Sequence, residues 1–283
     1  LIFDFFISLK KVYLFFLMYK LNFSNSYATL LFTDCFEKIS VIATINRGRS
    51  MDYYIPPKST VECFSESLFS RLQAQKNRKA KTKALSCMAG VDGWCTEEKA
   101  SILMDLLFLK RPQKVVEIGV WGGKSLIPLA IALNQNQRGV IYGIDPWKTD
   151  ASTFQLEGDH LEWWNEVDHE RIYNGFMSKI NLYHLGDVVE VVRASSKDAE
   201  IIDEIDFLHI DGNHSEISSL FDVKKWVPHV KKGGIIILDD LDYGEELESG
   251  ATTRKAADWL DMNCTRFLQF KAEKNEWAIW VKK

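Results

Sequence analysis

Short apolar runs separated by amphipathic stretches recur through the second half of this chain, and that alternation constrains its fold more than any other feature. "KVVEIGV" (114–120), "GVIYGID" (139–145), "VVEVVRA" (188–194), "IDFLHID" (205–211) and "GGIIILD" (233–239) are too short for helices and rich in Val and Ile, as buried strands are. Between them run helical patterns: "KSLIPLAIALN", a long insertion from about 153 to 179, a short helix after the third strand, and "SSLFDVKKWVPHV". Strands and helices in that order predict βαβ units and an α/β, doubly wound, mostly parallel sheet covered on both faces. The end of the chain departs from this rhythm. A helix at about 253–263 precedes "RFLQF" and "EWAIWV", which suit an antiparallel hairpin at the sheet edge.

Upstream of the first strand, Thr96 followed by Glu97 and Glu98 predicts a capped helix that runs to about Leu109 and is closed by Pro112. "TVECFSESLFSRLQAQKNRKAKTKAL" (60–85) reads as an exposed amphipathic helix whose basic run is a solvated face. These segments divide the chain into an N-terminal helical extension (51–95) and one domain (96–283) with a helical insertion at about 150–180. Residues 1–50 differ in composition and begin with Leu rather than Met, so they are expected to be a dispensable leader or an over-extended reading frame, with translation starting at Met51. Their longest apolar run, Val12 to Tyr19, falls short of the roughly 20 residues a membrane span needs. A signal-peptide reading is spoiled by Asp4 and Lys20.

The net charge of −4 gives no electrostatic reason to expect nucleic acid as a partner. Five cysteines without CxxC spacing argue against a disulfide framework and a thiolate zinc site, and for reduced thiols in a cytoplasm. No membrane partner is expected, and the sequence leaves monomer and homo-oligomer equally open.

Strand tips in parallel α/β sheets are where ligands bind, and two tips here are unusually polar. "VVEIGVWGGKS" places Gly119, Gly122 and Gly123 between a strand and a helix, where a ligand can approach backbone. Trp121 stands where a dinucleotide fingerprint needs its second glycine, so a pyrophosphate would meet a bulky ring. "FLHIDGNHSE" ends a strand in Asp211, Gly212, Asn213 and His214, and the next strand ends in Asp239 and Asp240. Adjacent strands lie about 4.8 Å apart, so these tips can bring three carboxylates together. Three hard oxygen donors suit an octahedral Mg²⁺ or similar divalent ion. His209 reads as a core histidine.

The string Glu117, Gly119, Gly123, Ser125, with Asp145 ending the second strand, resembles motif I and the acidic motif of class I S-adenosylmethionine (SAM)-dependent methyltransferases, whose fold is Rossmann-like. The resemblance implies that Glu117 orients the methionine part of the cofactor, that Gly119 and Gly123 leave room for it, that Asp145 accepts from the ribose diol, and that Ser195 in "RASS" contacts the adenine side. "IDFLHIDGNHSEISSLFDVKKWVPHVKKGGIIILDD" is similar to metal-dependent O-methyltransferases of the catechol, macrolide-sugar and cephalosporin-hydroxylase-like groups, over about residues 95–283. It implies a divalent cation on Asp211, Asp239 and Asp240, with His214 beside Asp211 as proton acceptor. The expected acceptor is a hydroxylated small molecule, a sugar or a phenol.

Trp147, Trp163, Trp164 and Tyr173 offer either an aromatic wall for the acceptor or part of the core. Asp159, His160, Asp168 and His169 do not share one helix face and read as solvated surface. The rival readings are a methyltransferase that uses no metal, a nicotinamide oxidoreductase, and a catalytically inactive SAM-binding protein.

Overall fold

The computed structural model describes residues 71–155, 158–244, 252–272 and 275–283. Residues 1–70, including the expected leader and the start of the N-terminal extension, lie outside the described residues. Helix α1 (Arg71–Met88) leads to α2 (Glu97–Lys110), β1 (Lys114–Ile118), α3 (Leu126–Asn136) and β2 (Val140–Ile144). Three helices follow, α4 (Thr149–Ser152), α5 (Gly158–Glu166) and α6 (His169–Leu182), and then β3 (Val189–Val192) and β4 (Ile205–Ile210). The chain continues through α7 (Glu216–Trp226), a 3₁₀ turn (Val227–His229), β5 (Val230–Leu238), α8 (Arg254–Asn263), β6 (Cys264–Ala272) and β7 (Asn275–Lys282).

The strands form one seven-stranded sheet in the order β3-β2-β1-β4-β5-β7-β6. β3, β2, β1, β4 and β5 are parallel, and β7 joins β5 antiparallel with β6 outside it, so the hairpin lies at the edge as expected. The order reverses between β1 and β4, the switch point where open α/β sheets leave a crevice for ligands.

Alternation along each strand feeds two separate cores. Val115, Phe207, Ile235, Ile237 and Ile279 pack with Leu103, Leu126, Leu129 and Phe176 of α2, α3 and α6. Val116, Leu208, Ile236 and Trp280 pack with Trp226 of α7 and Leu260 of α8. Because side chains alternate with a period of two, Glu117 and His209, paired in register, fall on the same face as Val115 and Phe207, toward α2.

Local chemistry accounts for the boundaries. Thr96 accepts from the Lys99 amide at 3.2 Å to start α2, and Arg111 in the left-handed region (φ 48°) before Pro112 ends it. Two expectations change. The long insertion is three helices: α6 is the crossover helix that buries Ile172, Phe176 and Ile180, and only α4 and α5 are added at the top of the sheet. The short helix expected after β3 is a turn at residues 196–198, where the Lys225 ammonium takes up the carbonyls of Ser196, Lys197 and Ala199 at 2.7–2.9 Å. A lysine reaching over from α7 satisfies acceptors that would otherwise need helical amides.

Candidate active site

The glycine turn after β1 and the loop after β4 are built against each other. Asp211 donates its amide to the Ile118 carbonyl at 2.8 Å, and Asp239 donates to that of Ile210 at 3.1 Å, so β1, β4 and β5 end level. Gly119 adopts φ 85°, and a Cβ there would lie 1.9 Å from the Asp211 carbonyl oxygen. Only glycine permits this approach, which joins the turn implied for the cofactor to the loop implied for the metal.

On the cofactor side, Asp145 acts as a clamp on the turn. Its Oδ2 accepts the Val120 and Trp121 amides at 3.0 and 2.9 Å, and its Oδ1 accepts the Trp147 amide at 2.7 Å. Two amides fill Oδ2, and Oδ1 keeps acceptor capacity for one further donor. Burial raises its pKa, opposed by these three amides. Glu117 is fully buried, with Oε1 accepting the Ser125 hydroxyl at 2.5 Å and Oε2 lacking a donor. Gly123 serves packing: a Cβ would lie 2.6 Å from the Phe176 ring. Ser195 is engaged in its own turn, donating to Asp198 Oδ2 at 2.6 Å and accepting the Asp198 amide at 3.2 Å.

On the other side, ligand atoms of Asp211, His214 and Asp240, and of His209, Asp211 and Asp239, lie within 4.8 Å of one another. Asp211 is shared by both groups, with Asp239 in one and Asp240 in the other, and no single group holds all three carboxylates predicted from the sequence. Asp211 and Asp240 face the cleft, with side chains 27% and 19% exposed, whereas Asp239 is 1% exposed and lies beneath them. Asp240 holds φ 54°, a conformation an L residue adopts at some cost and one that recurs at functional sites. His214 Nε2 is 3.0 Å from Asp240 Oδ2 and 4.0 Å from Asp211 Oδ1, and its ring meets Tyr243 edge-on. Ser215, not His214, caps α7, accepting the Ser218 amide at 3.3 Å.

The electrostatics follow from crowding. Burial and the neighbouring Asp239 charge hold the Asp211 carboxyl well above the usual range. The same two causes push Asp240 to about 6. Burial alone would raise Asp239 as well, but Lys99 and His209 outweigh it and hold that carboxyl low. Burial lowers the pKa of His214 against the pull of Asp211 and Asp239, so its imidazole is neutral at pH 7.

One residue here escaped the sequence reading, and a second, His209, does more than the core role read for it. Lys99, in the first turn of α2, is buried, pairs with Asp239, and stands 3.9 Å from Asp211. Burial opposes its charge, but Asp239 and Asp211 more than compensate and hold the ammonium protonated. His209 is buried as expected, yet it is no passive core residue. Its Nε2 is 3.0 Å from Asp239 Oδ2 and its Nδ1 is 3.6 Å from Glu117 Oε2, and although burial works against its charge, these carboxylates raise its pKa to about 10. The only sequence signal for Lys99 is a cation in a helix's first turn, where acidic residues are favoured.

The aromatic residues divide between core and cleft. Trp147 is buried and packs on Tyr173 and Phe176. Trp163 and Trp164 join Trp121 and Trp94 in a cluster of four indoles, of which Trp94 and Trp163 are exposed. Asn213 ties the added helices to the strand tip, donating to the carbonyls of Ala151 and Phe154 at 3.2 Å each. Asp168 caps α6 through the Arg171 amide at 2.9 Å, and His169 is buried against Ser152 at 2.9 Å rather than solvated.

Residues 116–241, which hold both strand tips, match the family model described as "Methyltransferase domain". This part of the chain is therefore similar to a methyltransferase domain, and the sheet is that of the Rossmann-like methyltransferase fold. Solved structures share the architecture. One is an O-methyltransferase from Bacillus cereus in complex with SAH, 17% identical, with a TM-score of 0.51 over 74% of this chain and 91% of that one. Another is the O-methyltransferase TomG from Streptomyces achromogenes in complex with SAM, 17% identical, with a TM-score of 0.51 over 72% of this chain and 90% of that one. At that identity the likeness establishes the fold. No curated protein matches the chain.

Proposed function

We propose that this protein transfers the methyl group of SAM to a hydroxyl of a small molecule, aided by a divalent cation, Mg²⁺ in the first instance. The observation that carries this reading is the contact between Gly119 and the Asp211 backbone. It places the cofactor turn against the carboxylate cluster, so a methyl donor and an acceptor oxygen held at the two would meet. The methyl of SAM is already activated by its sulfonium, so the protein must chiefly orient an oxygen and remove its proton.

The donor set fits a hard cation. Asp239 Oδ1 is buried with no hydrogen-bond donor in reach, and a metal satisfies such an atom. Asp211, Asp239 and Asp240 would hold the ion, which when bound lowers the acceptor hydroxyl's pKa and fixes its direction. His214, neutral and 28% exposed, faces Asp211 and Asp240 and accepts the proton. Glu117 and Ser125 hold the methionine end of the cofactor and Asp145 the ribose, while the turn of Ser195, whose hydroxyl is taken up by Asp198, lines the adenine side. The indoles of Trp94, Trp121, Trp163 and Trp164 give the acceptor an apolar mouth. The same reading places the protein in a cytoplasm, in keeping with free, buried Cys87, Cys95 and Cys264. No helix among the described residues is long and apolar enough to cross a membrane.

The decisive experiment follows transfer from methyl-labelled SAM into a metabolite extract, with and without chelator. Labelled product that disappears on chelation and returns with Mg²⁺ supports the proposal. Full turnover by Asp211→Ala on the identified acceptor overturns the metal mechanism.

A further inference from the structure

Lys99 is out of place by every local rule. It occupies the first turn of α2, where the helix dipole disfavours a cation, and it is 4% exposed. Its ammonium is spent inside the protein, on Asp239, with Asp211 at 3.9 Å and the Trp277 ring at 5.8 Å. Both the Lys99 and the His209 contacts to Asp239 fall on Oδ2, and Oδ1 is left without a partner.

We propose that Lys99 is a positioning residue that fixes Asp239 as a one-oxygen ligand and withdraws one negative charge from the carboxylate cluster, so that the divalent cation is held loosely and with open positions for the acceptor. This inference rests on the cation reading given above. With Oδ2 saturated, Asp239 offers only Oδ1 and cannot close on the ion through both oxygens. The fixed positive charge, at ion-pair distance from two of the three carboxylates, weakens the field that binds the metal. A hard cation needs several positions for water or substrate oxygens if it is to orient an acceptor, and a four-oxygen carboxylate cage would fill them. Lys99 thereby sets the affinity and the free coordination of an ion it does not touch.

The test measures Mn²⁺ binding to the whole protein by electron paramagnetic resonance of the free ion, and the number of Mn²⁺-bound waters by proton relaxation. Wild type is compared with Lys99→Met and with Lys99→Gln, which keeps a hydrogen bond to Asp239 without the charge. The expected result is Mn²⁺ binding about tenfold tighter or more in both variants, with fewer bound waters and lower turnover. A lysine that merely supports the fold gives the opposite, weaker binding on its removal. If Lys99→Met does not fold, Lys99→Gln alone carries the comparison. Wild-type binding that the folded variants leave unchanged or weaken overturns this inference and leaves the cation reading standing. Binding seen only in the variants supports it, and no binding in any of the three sinks both.

Discussion

Asp222 shows how one buried side chain sets the behaviour of a loop. It is 3% exposed on α7, accepts the Ser196 hydroxyl at 2.5 Å, and its Oδ2 would lie 3.4 Å from a Cβ on Gly212. It thus touches both the turn after β3 and the strand tip beside Asp211. Burial pushes its pKa up to about 7, against the pull of Ser196 and Lys225. The folded protein therefore holds this proton where the unfolded chain, with an ordinary carboxyl, has lost it. Its contribution to stability is fully present below the unfolded pKa near 4 and is lost as pH rises through about 7. Asp222→Asn keeps an acceptor for Ser196 and removes the titration. Its melting temperature is expected to exceed that of wild type at pH 8, by roughly 3 °C or more, with the difference shrinking as pH falls and closing only below about pH 4. Thermal unfolding across that range measures both. The catalytic groups predict a second profile. His214, its pKa lowered by burial, is in its basic form at neutral pH. The kcat/KM of an identified acceptor should accordingly stay level from pH 7 to 8 and fall only once pH drops below the ordinary histidine range, where His214 takes up a proton.

At the scale of elements, the critical joint is between the β1 turn and the β4 loop. Gly119 has φ 85°, and the Asp211 carbonyl occupies the space of any Cβ. Gly119→Ala cannot be relieved by rotating a side chain, because the atom in the way is backbone. The expected cost is about 3 kcal/mol or more of stability, read in denaturant unfolding, together with loss of SAM binding. Gly175 offers the control: it lies in α6 with open space around it, so Gly175→Ala should be neutral or slightly stabilising in the same assay. The element boundaries show what was legible in the sequence. Strands β1, β2, β4 and β5 are visible as Val- and Ile-rich runs because they are buried on both faces. The added helices were not separable from α6, because helical periodicity is the same whether a helix covers a sheet or caps its end.

The whole molecule brings together groups far apart in the chain. Lys99 meets Asp239 across 140 residues, and Trp94 meets Trp163 between a loop before α2 and a helix after β2. A cofactor that binds only the folded state must raise the unfolding free energy of the whole domain, by about 2.7 kcal/mol at a hundred times its Kd. SAM or SAH should accordingly raise the melting temperature while NAD does not, since Trp121 fills the position where a pyrophosphate would approach the turn. A shift with NAD alone would contradict the family match and the site together.

By itself the sequence determined the sheet, its polar tips and the hairpin, because period, strand length and turn chemistry are local properties. It also marked the tips bearing Asp211 and Asp239–Asp240 as neighbours, since consecutive strands joined by a crossover helix commonly lie side by side. Only the tertiary structure decided that Asp239 is buried under the other two, that His209 links it to Glu117, and that a lysine from α2 shares its carboxylate. Those facts depend on which helix covers which face and how far a side chain reaches across it. Lys99, read in "CTEEKAS", is an ordinary surface cation until α2 is laid over the strand tips.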